Sequence, residues 1–151
     1  MFSDSYKTTI GTNVSKKELT IYRPFEGLTV QVDATVWDIM GEKGFRHLLK
    51  ETYFHGANGI IAVADATRKS TLDDLDDWVD SVLKVVGPLP CLIAINKSDL
   101  EDEFAYEADL VTQIAKAFDS DYIYTSAKTG ENVEEAFLRL GTRMVENQLG
   151  L

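Results

Sequence analysis

The chain has 151 residues and a formal net charge of −10 at pH 7, with 25 acidic side chains against 15 lysines and arginines. A surface this acidic repels phosphate backbones and anionic lipid head groups, which excludes nucleic acid and bare membrane as expected partners. One cysteine and 44% hydrophobic residues predict a single domain over residues 1–151, in a cytoplasmic, reducing compartment. The last five residues contain no cysteine for prenylation, so no covalent membrane anchor is expected.

Two strands are predicted first in the chain, over residues 14–22 and 28–37. The turn between them, Arg23–Gly27, contains a proline and a glycine, which favour a reversal of the chain. In the second strand, apolar residues occupy every other position: Leu28, Val30, Val32, Ala34 and Val36. This period of two is typical of a strand with one buried face, and the pair is expected to form an antiparallel hairpin.

From residue 59 onward, short apolar strands alternate with amphipathic helices. The strand-like runs are Gly59–Ala64, Leu89–Ile95 and Tyr122–Tyr124. Apolar residues at helical spacing follow each run: Leu72, Leu75, Trp78, Val79, Val82 and Leu83; then Phe104, Ala108, Val111, Ala115 and Phe118; then Val133, Phe137, Leu140 and Met144. Ser70 and Asn132 are expected to cap the first and last of these helices. The alternation predicts an α/β fold with a mostly parallel sheet covered on both faces.

In such sheets ligands bind beyond the carboxyl ends of the strands, which makes the loops after residues 37, 64, 95 and 125 candidate sites. The loop after residue 95 is Asn96-Lys97-Ser98-Asp99. Guanine offers adjacent N1–H and N2–H donors that one aspartate carboxylate accepts together, whereas adenine presents an acceptor there. The lysine stem can lie along the flat face of the base. Taken alone, the segment fits a polar strand-to-helix turn equally well.

The loop after residue 125 is Thr125-Ser126-Ala127-Lys128-Thr129-Gly130. The small Ala127 lets its backbone N–H approach the guanine carbonyl oxygen, although the segment alone also fits a helix N-terminal cap. Because the two loops follow successive parallel strands, they are expected to lie together. As a pair they resemble the guanine-specificity motifs of Ras-superfamily small GTPases, and residues 125–137 are particularly similar to Rab proteins.

This resemblance covers nearly the whole chain. It implies a Ras-like three-layer P-loop NTPase fold that binds GTP or GDP together with Mg²⁺. Carried over by position, it implies six base-binding residues: Asn96, Lys97, Asp99, Ser126, Ala127 and Lys128.

Two further segments resemble those with which the family binds phosphate and metal. The run Val36-Trp37-Asp38-Ile39-Met40-Gly41 resembles the Asp-x-x-Gly motif, which assigns Asp38 to Mg²⁺ and the Gly41 N–H to the terminal phosphate. Residues 6–11 are similar to the Rab switch I segment, by which Thr9 is a Mg²⁺ ligand. Asp65-Ala66-Thr67 also follows the Rab pattern and is expected to be structural.

The resemblance breaks at the phosphate-binding front end. No G-x-x-x-x-G-K-[ST] motif occurs in the 151 residues, and the strand, loop and helix that carry it in the family would account for about 30 residues. Without that cradle, nucleotide binding is expected to be weak. Loss of an interior strand predicts open sheet edges near residues 28–37 and 59–64 and possible self-association. Three accounts stay open: a start at an internal methionine, a fragment complemented by another chain, or a degenerate relative.

A second departure concerns hydrolysis. Family members usually carry Ala-Gly-Gln in switch II, whereas this chain has Met40-Gly41-Glu42. The usual glutamine orients the attacking water, and a glutamate there places negative charge near the phosphate oxygens. Glu42 is therefore a doubtful catalytic residue, and slow hydrolysis is expected even with the front end restored.

The resemblance implies a guanine-nucleotide switch, which in its complete form hydrolyses GTP to GDP and is read by effector or regulatory proteins. The 151-residue chain alone is expected to bind weakly and to be inactive. The alternative is a pseudo-GTPase, a non-enzymatic protein-interaction module on the same fold.

Overall fold

The computed structural model describes residues 13–39 and 55–151. In chain order its elements are β1 (Asn13–Arg23), a 3-10 turn (Pro24–Glu26), β2 (Leu28–Asp38), β3 (Ile60–Asp65), α1 (Lys69–Val86), β4 (Cys91–Asn96), a second 3-10 turn (Glu101–Glu103), α2 (Ala108–Ala117), β5 (Asp121–Tyr124) and α3 (Val133–Leu149). The predicted α/β class is confirmed.

Strands β1 and β2 form the predicted antiparallel hairpin. They pair in register from Asn13 opposite Asp38 to Arg23 opposite Leu28. Gly27, at φ 66°, adopts the left-handed conformation that lets the chain leave the 3-10 turn and enter β2. Alternate residues of β2 are half-buried, as the period of two predicted, although Leu28 at the end of the hairpin is exposed.

The other strands form a parallel sheet in the order β3-β4-β5. The central strand β4 is the most buried, with Leu92, Ile93 and Ile95 each at most 1% exposed. The predicted parallel sheet is confirmed, and among the described residues the hairpin forms a second, separate sheet. Within residues 13–39 and 55–151, no strand lies between β2 and β3, so each pairs along one side only.

Helices cover the parallel sheet on both faces, which gives the three layers expected of a Ras-like fold. On one face, Leu72 of α1 and Val111 of α2 pack against Ile93 and Ile95. On the other, α3 packs against the sheet through a cluster of four buried side chains: Leu92, Ile123, Ala136 and Leu140.

Helix α3 also joins the hairpin to the parallel sheet. Its Val145 packs with Leu19 and Ile21 of β1. Gly141 permits this close approach, because a Cβ there would lie 3.0 Å from Leu19 Cδ1 and 3.2 Å from Ile21 Cδ1. In the part of the chain that the structure describes, no helix has the length and apolarity needed to cross a membrane.

One predicted helix start was wrong in detail, and the other was right in position but not in its capping bond. Helix α1 begins at Lys69 with Arg68 at its N-cap, so Ser70 lies in the first turn instead of capping it. Asn132 does occupy the N-cap of α3, but its amide donates to the Tyr124 carbonyl at 2.9 Å and makes no capping bond. Phe104 lies ahead of α2 and stacks on Tyr124, with ring centroids 5.7 Å apart.

Candidate guanine-recognition site

The loop after β4 turns sharply at its second residue. Lys97 has φ 70°, a left-handed conformation that costs free energy for a residue with a side chain. The turn closes where the Leu100 N–H donates to the Lys97 carbonyl at 3.0 Å. This geometry directs residues 96–99 over the carboxyl end of the sheet and leaves Asp99 exposed.

The loop after β5 is organised around one buried serine. Ser126 is fully buried. Its carbonyl accepts from the Gly130 N–H at 2.8 Å, and its side-chain oxygen accepts from the Thr129 N–H at 3.1 Å. Gly130, at φ 85°, has the left-handed conformation that closes this turn at little steric cost.

Four hydrogen bonds join the two loops into one unit, the longest of them from Thr125 Oγ1 to Asn96 Oδ1 at 3.4 Å. Ser126 Oγ donates to Asp99 Oδ1 at 2.8 Å, and the Ser98 N–H donates to the Thr125 carbonyl at 2.9 Å. The Ala127 N–H donates to Asn96 Oδ1 at 3.0 Å. The structure thus brings together four of the six residues singled out in the sequence: Asn96, Asp99, Ser126 and Ala127.

Ala127 makes a hydrogen bond that the sequence did not indicate. Its N–H was expected to face the carbonyl oxygen of a guanine, and here it binds the side chain of Asn96. Because a backbone N–H is a donor, the atom facing it is the amide oxygen of Asn96, and the Asn96 NH₂ group points elsewhere. A guanine oxygen would have to share or replace this contact.

The side chain of Lys97 is held by an aspartate from a third strand end. Lys97 Nζ lies 2.9 Å from Asp65 Oδ2, while Asp65 Oδ1 accepts from both the N–H and the hydroxyl of Thr67. Burial alone would raise the pKa of Asp65, but the bonds from Lys97 and Thr67 outweigh it and hold that pKa below its ordinary value. Asp65 was expected to be structural; its position directly after residue 64, at one of the predicted strand ends, is the signal that indicates a site.

The structure also describes Lys128 and Asp38 among the other sequence-predicted residues. Lys128 is exposed in the loop after β5. Asp38 is exposed at the end of β2, where it pairs in register with Asn13. Thr9, Gly41 and Glu42 lie outside the described residues. Among the residues that the structure describes, no group of three or more His, Cys, Asp or Glu side chains could hold a metal ion.

An open cleft of about 810 Å³ lies beside the joined loops, without Asp99 or Ala127 in its lining. Aromatic and acidic side chains line most of it: Phe104, Tyr106, Tyr124, Glu101, Glu107 and Glu131. Burial, with Tyr124 and Asp65 nearby, raises the pKa of Tyr106 to about 12, so its hydroxyl stays protonated and donates to the Asp65 carbonyl. Three glutamates make this cleft a poor place for a phosphate.

Loops joined across the carboxyl ends of two parallel strands are typical of nucleotide-binding α/β proteins. A family model described as the Ras family matches residues 1–146. Two relatives are Ras-related protein Rab-1 of Theileria annulata, 36% identical over 138 residues, and GTP-binding protein ypt1 of Schizosaccharomyces pombe, 30% identical over 150 residues. Ras-related protein Rab-21 of Mus musculus is 32% identical over 146 residues. The chain belongs to the Ras family, and its similarity is to the Rab type of small GTPase.

The matched regions cover nearly all of this chain but less of the relatives. The match with the Theileria protein covers 90% of this chain and 60% of that protein. The match with ypt1 covers 99% of this chain and 70% of ypt1, and the match with Rab-21 covers 96% of this chain and 63% of Rab-21. The chain thus spans about 60–70% of the length of these relatives.

Proposed function

We propose that this chain is the guanine-reading part of a GTP/GDP switch. The observation that carries the proposal is the bond between Ser126 and Asp99, which fixes an exposed carboxylate over the strand ends from a fully buried serine. Two loops that could otherwise move independently present that carboxylate in one orientation. Such preorganisation favours binding, because little ordering is left to do when the ligand arrives.

The chemistry of the carboxylate selects guanine over adenine. Asp99 Oδ1 accepts one bond from Ser126, and each carboxylate oxygen has two lone pairs, so acceptor positions remain on both oxygens. Guanine N1–H and N2–H can donate to them together. Adenine would place its N1 lone pair against the same negative charge.

The proposal also includes the phosphate groups of the nucleotide and a Mg²⁺ ion. By the resemblance to the family's Asp-x-x-Gly motif, we propose that the Gly41 N–H contacts the terminal phosphate of GTP. Asp38 is an exposed carboxylate at a strand end, which suits Mg²⁺ because that ion keeps several of its waters. With Thr9 it would hold the ion, whose chemistry is to neutralise charge on the phosphate oxygens.

We propose that a polypeptide of these 151 residues does not hydrolyse GTP appreciably. The G-x-x-x-x-G-K-[ST] motif is absent from its sequence, and Glu42 stands where a glutamine normally orients water. Single-turnover hydrolysis above the uncatalysed rate would contradict this proposal. If hydrolysis is restored in a longer protein, Glu42→Gln should accelerate it.

We also propose that copies of this chain associate through the unpaired edges of the two sheets. Within the described residues, β2 pairs only with β1 and β3 only with β4, and exposed strand edges recruit other strands. Light scattering should therefore detect species larger than 16.9 kDa that increase with concentration. A monomer at all concentrations would refute this part of the proposal.

The central test compares GDP with ADP by calorimetry in the presence of Mg²⁺. Binding of GDP should exceed binding of ADP, and Asp99→Asn should abolish the difference because an amide offers one acceptor and one donor. Asp102→Asn is the matched control, since it removes an exposed carboxylate three residues away. No heat with GDP, or equal heat with ADP, would refute guanine recognition and favour the non-enzymatic interaction module.

A further inference from the structure

The ion pair between Asp65 and Lys97 links the ends of two neighbouring parallel strands. We propose that Asp65 is a positioning residue for base recognition, which holds the Lys97 ammonium so that the lysine stem stands as one wall of the guanine slot. This inference rests on the proposed function and adds a residue to it that the sequence motifs leave out.

The register of the sheet brings the two residues together. Asp65 lies opposite Asn96 in the pairing of β3 with β4, so Lys97 is the first residue beyond that rung. The Ala66 N–H donates to the Asn96 carbonyl at 2.9 Å and extends the pairing past the strand. The left-handed backbone of Lys97 then lets its ammonium reach back to Asp65 Oδ2.

Asp65 is itself held from several directions. One carboxylate oxygen accepts two bonds from Thr67, at 2.8 Å from the N–H and 2.7 Å from the hydroxyl. Its backbone N–H donates to Thr71 Oγ1 at 2.8 Å, and its carbonyl accepts from the Tyr106 hydroxyl at 3.0 Å. A carboxylate fixed in this way is a stable anchor point for a mobile partner.

Lys97 is the mobile partner. Its side chain is 48% exposed, against 15% for that of Asp65. A lysine side chain has large rotamer entropy, and ordering it during binding lowers affinity. Because Asp65 holds the ammonium, the stem is ordered before the base arrives. If the ion pair instead withheld Lys97 from the ligand, removing the charge of Asp65 would tighten binding, and that result would refute the inference.

The experiment titrates the ¹⁵N-labelled chain with guanosine monophosphate and follows the amide signals of Lys97 and Ala127. Asp65→Asn preserves the shape and one acceptor oxygen for Thr67 but removes the charge. Releasing one flexible side chain should raise the Kd roughly three- to tenfold. Asp80→Asn is the matched control, because it removes the exposed ion pair of Asp80 with Lys84 (2.8 Å) on helix α1 and should leave the Kd unchanged.

A double-mutant cycle separates positioning from a general structural effect. In a Lys97→Met background, Asp65→Asn should no longer change the Kd, because the group through which it acts is gone. An undiminished effect there would overturn the inference. The rate of Lys97 acetylation in the free chain, read by mass spectrometry, should rise in Asp65→Asn, and an unchanged rate would show that the pair does not order the lysine.

The outcomes distinguish this inference from the proposed function. If the parent chain binds guanosine monophosphate and Asp65→Asn binds it equally or more tightly, the positioning role is refuted and guanine recognition stands. If the parent chain does not bind it at all, guanine recognition is refuted and the positioning role falls with it.

Discussion

Replacement of Ser126 by alanine is the most informative perturbation of the joined loops. The hydroxyl is fully buried, donates to Asp99 Oδ1 at 2.8 Å and accepts from the Thr129 N–H at 3.1 Å. Alanine removes both bonds and leaves a partly buried N–H without this acceptor. It also frees the Asp99 carboxylate, so stability and guanine preference should decrease together.

The magnitude follows from the two bonds. A hydrogen bond to a charged group contributes about 1.5–3 kcal/mol, and the exposure of Asp99 places this one at the lower end. Adding a smaller cost for the Thr129 N–H gives about 2 kcal/mol in the free energy of unfolding. For a chain of this size, that corresponds to a decrease in Tm of roughly 4–8 °C.

Urea denaturation of Ser126→Ala and of the parent chain measures this loss. Ser81→Ala is the control, because its half-buried hydroxyl donates to the Asp77 carbonyl within α1, and its loss should change stability by less than about 0.5 kcal/mol. A Ser126→Ala variant as stable as Ser81→Ala would show that the serine does not join the loops in solution. Asp99 would then not be held in a preorganised slot before the ligand binds.

Three further outcomes are expected. The pKa of Asp65 is lowered in the folded chain, so its ionised form stabilises the fold above about pH 4, and that stabilisation is lost at lower pH. The difference in the free energy of unfolding between the parent and Asp65→Asn should therefore shrink from pH 7 to pH 3 in urea titrations. Burial raises the pKa of the Cys91 thiol, although Arg143 partly opposes this, so a disulfide reagent should react slowly with native protein and rapidly in urea. Leu72→Ala should cost about 2–5 kcal/mol in the same titrations because Leu72 is fully buried, whereas Leu149→Ala at an exposed position should cost far less.

The sequence predicted that the loop with Asn96 and Asp99 lies beside the loop with Ser126 and Ala127. Short apolar runs ending at polar loops identify parallel strands, and parallel strands bring their carboxyl ends to one edge. Hydrophobic periodicity likewise gave the hairpin and the helices α1 and α3 to within a few residues, because burial of one face dominates the free energy of these elements.

The sequence did not predict the contacts that depend on how far a side chain reaches in the folded chain. The pairing of Lys97 with Asp65 occurs at a left-handed backbone of a non-glycine residue, which no local pattern indicates. For Ser70 the expected cap was displaced by other local hydrogen bonds at the start of α1. Thr71, one residue later, bonds the Arg68 carbonyl at 2.6 Å and receives the Asp65 N–H, which sets the helix start earlier.

Phe104 illustrates the limit of periodicity. It falls at helical spacing with the residues of α2, but the three acidic residues before it form a 3-10 turn, and Phe104 stacks on Tyr124 instead. Similarly, a period of two identifies which face of β2 is buried but not which strand lies beside it. The separation of the hairpin from the parallel sheet followed instead from the resemblance, which indicates that an interior strand between residues 28–37 and 59–64 is missing.

A crystal structure of the chain with guanosine monophosphate tests the guanine slot most directly. Both oxygens of Asp99 should lie within about 3.2 Å of the N1 and N2 atoms of the base, with the Lys97 stem against its face and the Ser126 bond to Asp99 intact. A base bound in the cleft around Phe104, or bound near the loops without contact to Asp99, would contradict the account.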